Sequence, residues 1–276
     1  MFPWRKQNKK ELLYEYANLK DRLLNISKAS EGPVLKYIRV GMKCSNIFFQ
    51  KERLKTRSQN KISCFDFWKL NKEKIVKYNS KNKSHDLFTT IVFMNHAPSQ
   101  FPPMTAGMIY KYFGATKILD PYAGWGDRCI AAMAMNINYI GIDSNPKLIN
   151  SYNRMINYFP TLSSIKIISD KSENINLNKL DFDFILSSPP FWNTKKTRLL
   201  EEYNNTSCNY ENFINNSIIH LIKTVWKKDP NIWICLHIPT YMYKDIIKIL
   251  GIGSCKKIIK FLTTLNTTKK QYIYCF

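Results

Sequence analysis

No two cysteines stand at CxxC spacing in this sequence, and no CxxC…H pattern occurs. The seven that exist (Cys44, Cys64, Cys129, Cys208, Cys235, Cys255 and Cys275) are scattered and odd in number. That excludes a structural zinc centre and points to reduced thiols in a cytosol-like compartment, with no metal site expected. Phosphate-cradling loops are missing too. Neither GxxxxGK(S/T) nor GxGxxG is present, which excludes a P-loop and disfavours a dinucleotide with its pyrophosphate. There is no run of about 18 apolar residues, and the N-terminus MFPWRKQNKK has no signal-peptide core. The expectation is a soluble intracellular protein without a membrane partner, cytoplasmic if prokaryotic or viral.

Acidic residues are the other shortage: 20 against 42 lysines and arginines, a net charge of +22. Such a field attracts polyanions, and nucleic acid is the first partner to expect. Abundant lysine, asparagine and isoleucine also fit an AT-rich genome, so charge alone does not decide the matter. The excess is uneven, because residues 1–90 hold 21 of the basic residues and 8 of the acidic ones. The first third is therefore the expected phosphate-contacting region.

At 276 residues, 45% of them apolar, the chain is long enough for one large α/β domain with an extension. Residues 11–26 carry helical apolar spacing, whereas 34–50 are ambiguous between helix and strand. The basic stretch 51–61 leads into 65–86, where aromatics alternate with lysines. That mixture suits a nucleic-acid surface, and equally suits a helix with a buried aromatic stripe. From residue 97 the pattern changes. A Pro-bracketed loop, APSQFPP, precedes a helix stopped at Gly114, and short apolar strands then alternate with helices to the C-terminus. This predicts a doubly wound, mostly parallel, seven-stranded sheet with ligands at the carboxyl ends of its strands. The expected division is a basic, mainly helical extension over 1–90 and a catalytic domain over 91–276.

Two segments carry the chemistry. In ILDPYAGWGDR, a strand ends at Asp120, Pro121, Tyr122 and Ala123 form a bend, and Gly124 and Gly126 permit close backbone approach to a ligand. Asp127 stands where it could cap the next helix. The next two strands end at Asp143 and Asp170, so three carboxylates line one sheet edge, each open to a helix-capping role. Together they favour an adenosine-bearing ligand, since an acidic residue about 20 residues after such a turn grips ribose hydroxyls.

The second segment, DFDFILSSPPFW, ends a buried strand in the corner Ser188-Pro189-Pro190-Phe191. Its prolines fix the backbone and remove two donors, leaving acceptors beside an aromatic face. A base could stack on Phe191 while its exocyclic amine donates hydrogen bonds. Accepting both amine hydrogens favours a pyramidal nitrogen whose lone pair can attack an electrophilic methyl.

The series DPYAGWGDR, YIGIDSNP, ISD and FILSSPPF resembles the S-adenosylmethionine-dependent DNA amino-methyltransferases of the N4-cytosine/N6-adenine type. The resemblance covers about residues 95–240 and implies a Rossmann-like methyltransferase sheet. It also implies that Phe101 and Pro102 hold the methionine end of the cofactor with the turn Asp120–Gly126. Asp143 would take the ribose hydroxyls, Asp170 the adenine amino group, and Ser188–Phe191 the target base. Serine at the first corner position is usual for cytosine N4 enzymes. The alternatives are an RNA adenine N6 methyltransferase and an idle nucleic-acid-binding subunit. This chain departs from many relatives at Trp125 and Asp127-Arg128, where Arg128 is open to a phosphate or a carboxylate. The segment after residue 192 is too short for a large recognition domain, so the basic third or a protein partner would read the target.

Overall fold

Short apolar runs become the strands of a covered sheet here, and the longer amphipathic runs between them become its covering helices. The computed structural model describes residues 1–6, 8–26, 34–36, 38–58, 61–81, 86–193, 195, 199, 201–202, 209–262 and 270–276. Cys208, residues 59–60 of the basic stretch and residues 82–85 of the aromatic–lysine segment lie outside the described residues.

The chain begins with α1 (Lys9–Asn25), β1 (Val34–Lys36), α2 (Met42–Lys55), β2 (Arg57–Ser58), α3 (Cys64–Lys81) and α4 (Leu87–Asn95). The alternating part follows as α5 (Pro103–Phe113), β3 (Lys117–Asp120), α6 (Asp127–Met135), β4 (Asn138–Asp143), α7 (Leu148–Tyr158), β5 (Ile165–Ser169) and β6 (Phe184–Ser187). Then come β7 (Glu201–Glu202), α8 (Tyr210–Asn212), a π-helical stretch Phe213–Ile219 and α9 (His220–Lys228). The chain closes with β8 (Trp233–His237), α10 (Thr240–Leu250), β9 (Lys257–Leu262) and β10 (Lys270–Cys275).

Among the described residues the main sheet has eight strands in the order β1-β9-β10-β8-β6-β3-β4-β5. All neighbours are parallel except those of β10, which runs antiparallel to β8 and β9. The seven expected strands are all present, and the fold is a Rossmann-like α/β sheet. The eighth strand, β1, adds an edge beside β9 from the ambiguous segment 34–50, whose remainder forms α2. From β3 the chain moves outward to β4 and β5, and from β6 it moves the other way to β8. The crevice of such a sheet opens where the direction reverses, between β3 and β6. Both chemically suggestive segments end there.

The N-terminal third is not a loose appendage. Leu12, Tyr16, Leu19 and Leu23 of α1 bury one stripe in the same core as Ile130 and Met133 of α6 and Tyr152 and Met155 of α7. Phe48 and Phe49 of α2 join them. A smaller core gathers Phe2, Leu54, Trp68, Ile75, Phe88 and Ile91. No helix among the described residues is long and apolar enough to cross a membrane.

Candidate active site

Asp120, at the end of β3, is fully buried. Its carboxylate receives Arg128 Nε at 2.6 Å and Nη2 at 3.3 Å, the Tyr139 hydroxyl at 2.6 Å and the Ser187 hydroxyl at 2.6 Å. A carboxylate offers about four acceptor sites, so these donors saturate it, and Asp120 shapes the turn from beneath. Arg128 thus contacts a carboxylate, and its Nη2 continues to the Tyr122 carbonyl at 2.6 Å. Burial opposes charge on Arg128, but the Asp120 carboxylate overcomes this and holds the guanidinium well above its ordinary pKa.

The two glycines of the turn do different work. Gly124 has φ +59°, and a Cβ there would meet nothing nearer than the Tyr122 carbonyl at 3.8 Å, so this side of the backbone is open. Gly126 has φ +76°, and its Cβ would lie 2.6 Å from the Phe49 ring of α2. Only Gly124 leaves room for a ligand, whereas Gly126 is required by packing. Pro121 and Ala123 are buried in the bend, with the Ala123 N–H bound to the Ile142 carbonyl at 2.9 Å.

Asp127 does not cap α6. Gly126 holds the N-cap position with no side-chain bond, and Asp127 is the first helical residue. Its buried carboxylate accepts from the Ser45 hydroxyl of α2 and from Gln100 Nε2 at 2.9 Å. Burial pushes its pKa up to about 7, against the pull of the Ser45 hydrogen bond. Asp127 therefore ties α2 and the Phe-Pro loop to the glycine turn.

Asp143 ends β4, half-buried, and accepts the Gly124 N–H at 2.8 Å and the Asn145 N–H at 2.9 Å. Burial raises its pKa to about 6, although both backbone donors lower it. Asp170, just past β5, receives the Lys171 N–H and Asn174 Nδ2 on Oδ1, each at 2.7 Å. No donor among the described residues reaches its Oδ2. None of the three strand-ending aspartates caps a helix. Asp143 and Asp170 keep acceptor capacity at the sheet edge, and Asp120 does not.

Phe101 and Pro102 are buried ahead of α5. The Phe101 ring lies 5.4 Å from the Arg128 guanidinium carbon and 5.5 Å, edge-on, from the His237 ring. The corner begins one residue past β6. Ser188, Pro190 and Phe191 are half-buried, while Pro189 is buried. Tyr241 donates its hydroxyl to the Trp192 carbonyl and anchors the far side of the corner.

Sequence reasoning missed Ser187. Its hydroxyl donates to Asp120 and accepts the Tyr122 N–H at 3.1 Å, stitching the corner strand to the glycine turn. The doubled serine of SSPP was the available signal. His237 was missed as well, with its ring centroid 5.4 Å from that of Phe191.

An open backbone face at Gly124, two strand-end carboxylates with acceptor capacity and a buried aromatic, Phe101, against Arg128 fit an adenosine-bearing cofactor. A family described as DNA methylase, of the N6/N4 type, matches residues 2–154. The chain belongs to that family. The DNA methylase match includes Phe101, Pro102, the glycine turn and Asp143, and takes in nearly the whole basic third. The family uses S-adenosylmethionine. Asp170 and the corner lie beyond the matched segment.

No curated protein sequence matches the chain. Among solved structures, a Listeria monocytogenes protein assigned to the class I S-adenosylmethionine-dependent methyltransferases is 15% identical, with TM-score 0.46, covering 97% of this chain and 86% of its own. The Pyrococcus abyssi tRNA (uracil-54, C5)-methyltransferase is 18% identical, with TM-score 0.40, over 62% of this chain and 38% of that one. The human methyltransferase 10 domain-containing protein is 11% identical, with TM-score 0.43, over 65% and 83%. At these scores they say nothing about the substrate of this DNA methylase family member.

Proposed function

We propose that this chain transfers the methyl group of S-adenosylmethionine to the exocyclic amine of a nucleobase in DNA, with cytosine N4 favoured over adenine N6. The observation that carries this reading is the seam at Ser187, whose Oγ lies 2.6 Å from Asp120 and 3.1 Å from the Tyr122 nitrogen. It fixes Ser188–Phe191 beside the glycine turn, at the crevice where a parallel sheet binds its ligands.

Gly124, Asp143, Asp170, Phe101 and Pro102 would hold the cofactor, which supplies a methyl on a cationic sulfur for an amine that loses one N–H proton. Ser188 Oγ and the carbonyl oxygens of the corner would accept the amine hydrogens, and Phe191 would stack on the ring. The base must leave its stack to arrive there, flipped or already single-stranded. Serine as the first corner residue, together with the family's specificities, supports cytosine.

The first third would supply the phosphate contacts. Lys51, Lys55, Arg57, Lys69, Lys72, Lys74 and Lys77 are exposed, whereas Arg53 is buried and donates to the Pro98 carbonyl at 2.7 Å. Trp68 and Ile75 of α3 face a core, so the aromatic stripe there is partly structural.

A defined panel of DNA and RNA substrates, digested to nucleosides after incubation with S-adenosylmethionine and read by mass spectrometry, tests the proposal. N4-methylcytosine from DNA is the expected product. N6-methyladenine from DNA would correct the base, a methylated RNA base alone would overturn the DNA assignment, and no product would overturn the enzyme.

A further inference from the structure

His237 ends β8, one strand over from the corner, and its ring stands between Phe101 on the cofactor side and Phe191 on the base side. It is buried at 8% exposure. Its Nε2 lies 2.7 Å from Oε1 of Gln271, a residue of β10, and its Nδ1 lies 3.2 Å from Ser188 Oγ. These two contacts determine how the protons are placed. Burial holds the imidazole pKa down at about 4, so the ring is neutral and carries one N–H. An amide oxygen can only accept, so that N–H belongs on Nε2, and Nδ1 presents a lone pair. The Ser188 hydroxyl therefore has two acceptors for its single hydrogen, Nδ1 and the His237 carbonyl at 3.4 Å. Nδ1 is the nearer, and with the hydrogen held there Ser188 Oγ has only lone pairs to offer the crevice.

We propose that His237, its tautomer set by Gln271, is a positioning residue that makes Ser188 Oγ an obligate acceptor for the amine hydrogen of the target base. The proposal rests on the amine-methylation reading and adds what that reading lacks. A serine hydroxyl left to rotate could point its own hydrogen at the amine, and a donor there would compete for the lone pair that must attack. His237 and Gln271 remove that choice. They also join β8 and β10 to a corner carried by β6.

Two measurements test this, one of which needs no activity. Nitrogen-15 NMR of the His237 ring in the full chain is expected to show a protonated Nε2 and a bare Nδ1, with both tautomers populated in Gln271→Leu. A protonated Nδ1 in the native protein overturns the proposal whether or not any base is methylated. Kinetics supply the second arm. His237→Leu and Gln271→Leu are expected to lower kcat about tenfold or more while cofactor Kd stays within about twofold. His237→Asn, whose amide oxygen can take the place of Nδ1, is expected to recover most of the loss seen with His237→Leu. In a Ser188→Ala background, His237→Leu should cost nothing further, because the histidine acts through that hydroxyl. A full additive loss there, or a parallel loss of cofactor affinity, would show a structural role and overturn the proposal. If the native chain methylates no base while the NMR result holds, the amine-methylation reading fails and the tautomer assignment stands.

Discussion

In the proposed reaction Ser188 and Asp143 divide the work of the crevice, and single substitutions separate their roles. Ser188 lies on the corner with its hydroxyl against His237, and among the described residues it makes no hydrogen bond to the glycine turn. Ser188→Ala is therefore expected to cut kcat by about a hundredfold with cofactor affinity nearly unchanged, as loss of one transition-state hydrogen-bonding group does. Single-turnover methylation alongside equilibrium cofactor binding measures both. Asp143 holds the Gly124 N–H at 2.8 Å from the end of β4, on the cofactor side. Asp143→Ala should do the reverse and weaken cofactor binding about tenfold or more, since it removes the acceptor of two backbone donors together with the proposed ribose contact. Its pKa, raised to about 6 by burial, adds a pH signature: cofactor affinity should fall as the pH drops through that value, and calorimetric titration across the range reads it. The placement behind this proposed division was legible in the sequence, because the strand-end aspartates and the Ser-Pro-Pro corner each lie within a few residues of their strands. Asp120 shows the limit. The same strand-end position looks alike in sequence, yet Arg128, Tyr139 and Ser187 converge on it only when three strands and a helix have packed. His237 and Gln271 were unreadable for a related reason, since their partners are 49 and 34 residues away along the chain.

Helices and strands here depend on contacts that cross the apparent boundary between the basic third and the sheet. Gly126 illustrates this for backbone shape. Gly126→Ala would force both a left-handed backbone and a collision with Phe49, and is expected to cost on the order of 1–3 kcal/mol, measurable by urea unfolding. Asp127 illustrates it for charge. With its folded pKa raised to about 7, its contribution to stability is fully present below the unfolded-state value of 3.8 and is lost as pH rises through about 7. Asp127→Asn removes that dependence. The stability difference between variant and native protein should therefore move in favour of the variant between about pH 4 and pH 7, as followed by denaturant midpoints. The strands of the main sheet from β3 onward were readable because each is a short apolar run bracketed by polar residues or turns, whereas β7, Glu201–Glu202, was not. By contrast, β1 and α2 were not separable within residues 34–50, because a short strand takes its identity from what it pairs with.

At the scale of the whole molecule, the charge of +22 and the shared core pull the first third in two directions. Its apolar stripes are buried, so the exposed lysines are what it presents to phosphate. Reversing Lys51 and Lys55 to glutamate is expected to weaken DNA binding and to reduce the slope of log affinity against log salt by roughly one for each phosphate no longer neutralised. Filter-binding or anisotropy titrations across salt concentrations give that slope, and an unchanged slope would take this segment out of the interface. Thermal unfolding of the same variant should be close to that of the native chain, because neither side chain is buried.

The seam at Ser187 joins the two proposed binding surfaces through one hydroxyl, with the glycine turn on one side and the corner on the other. Two ligands that share such a hinge obey reciprocity: whatever factor the cofactor adds to affinity for the extruded base, the base must return to the cofactor. Methyl transfer turns a cationic sulfonium into a neutral thioether. If the seam senses that change in charge, the same hydroxyl that helps assemble the reacting pair also sets how readily the modified base is released.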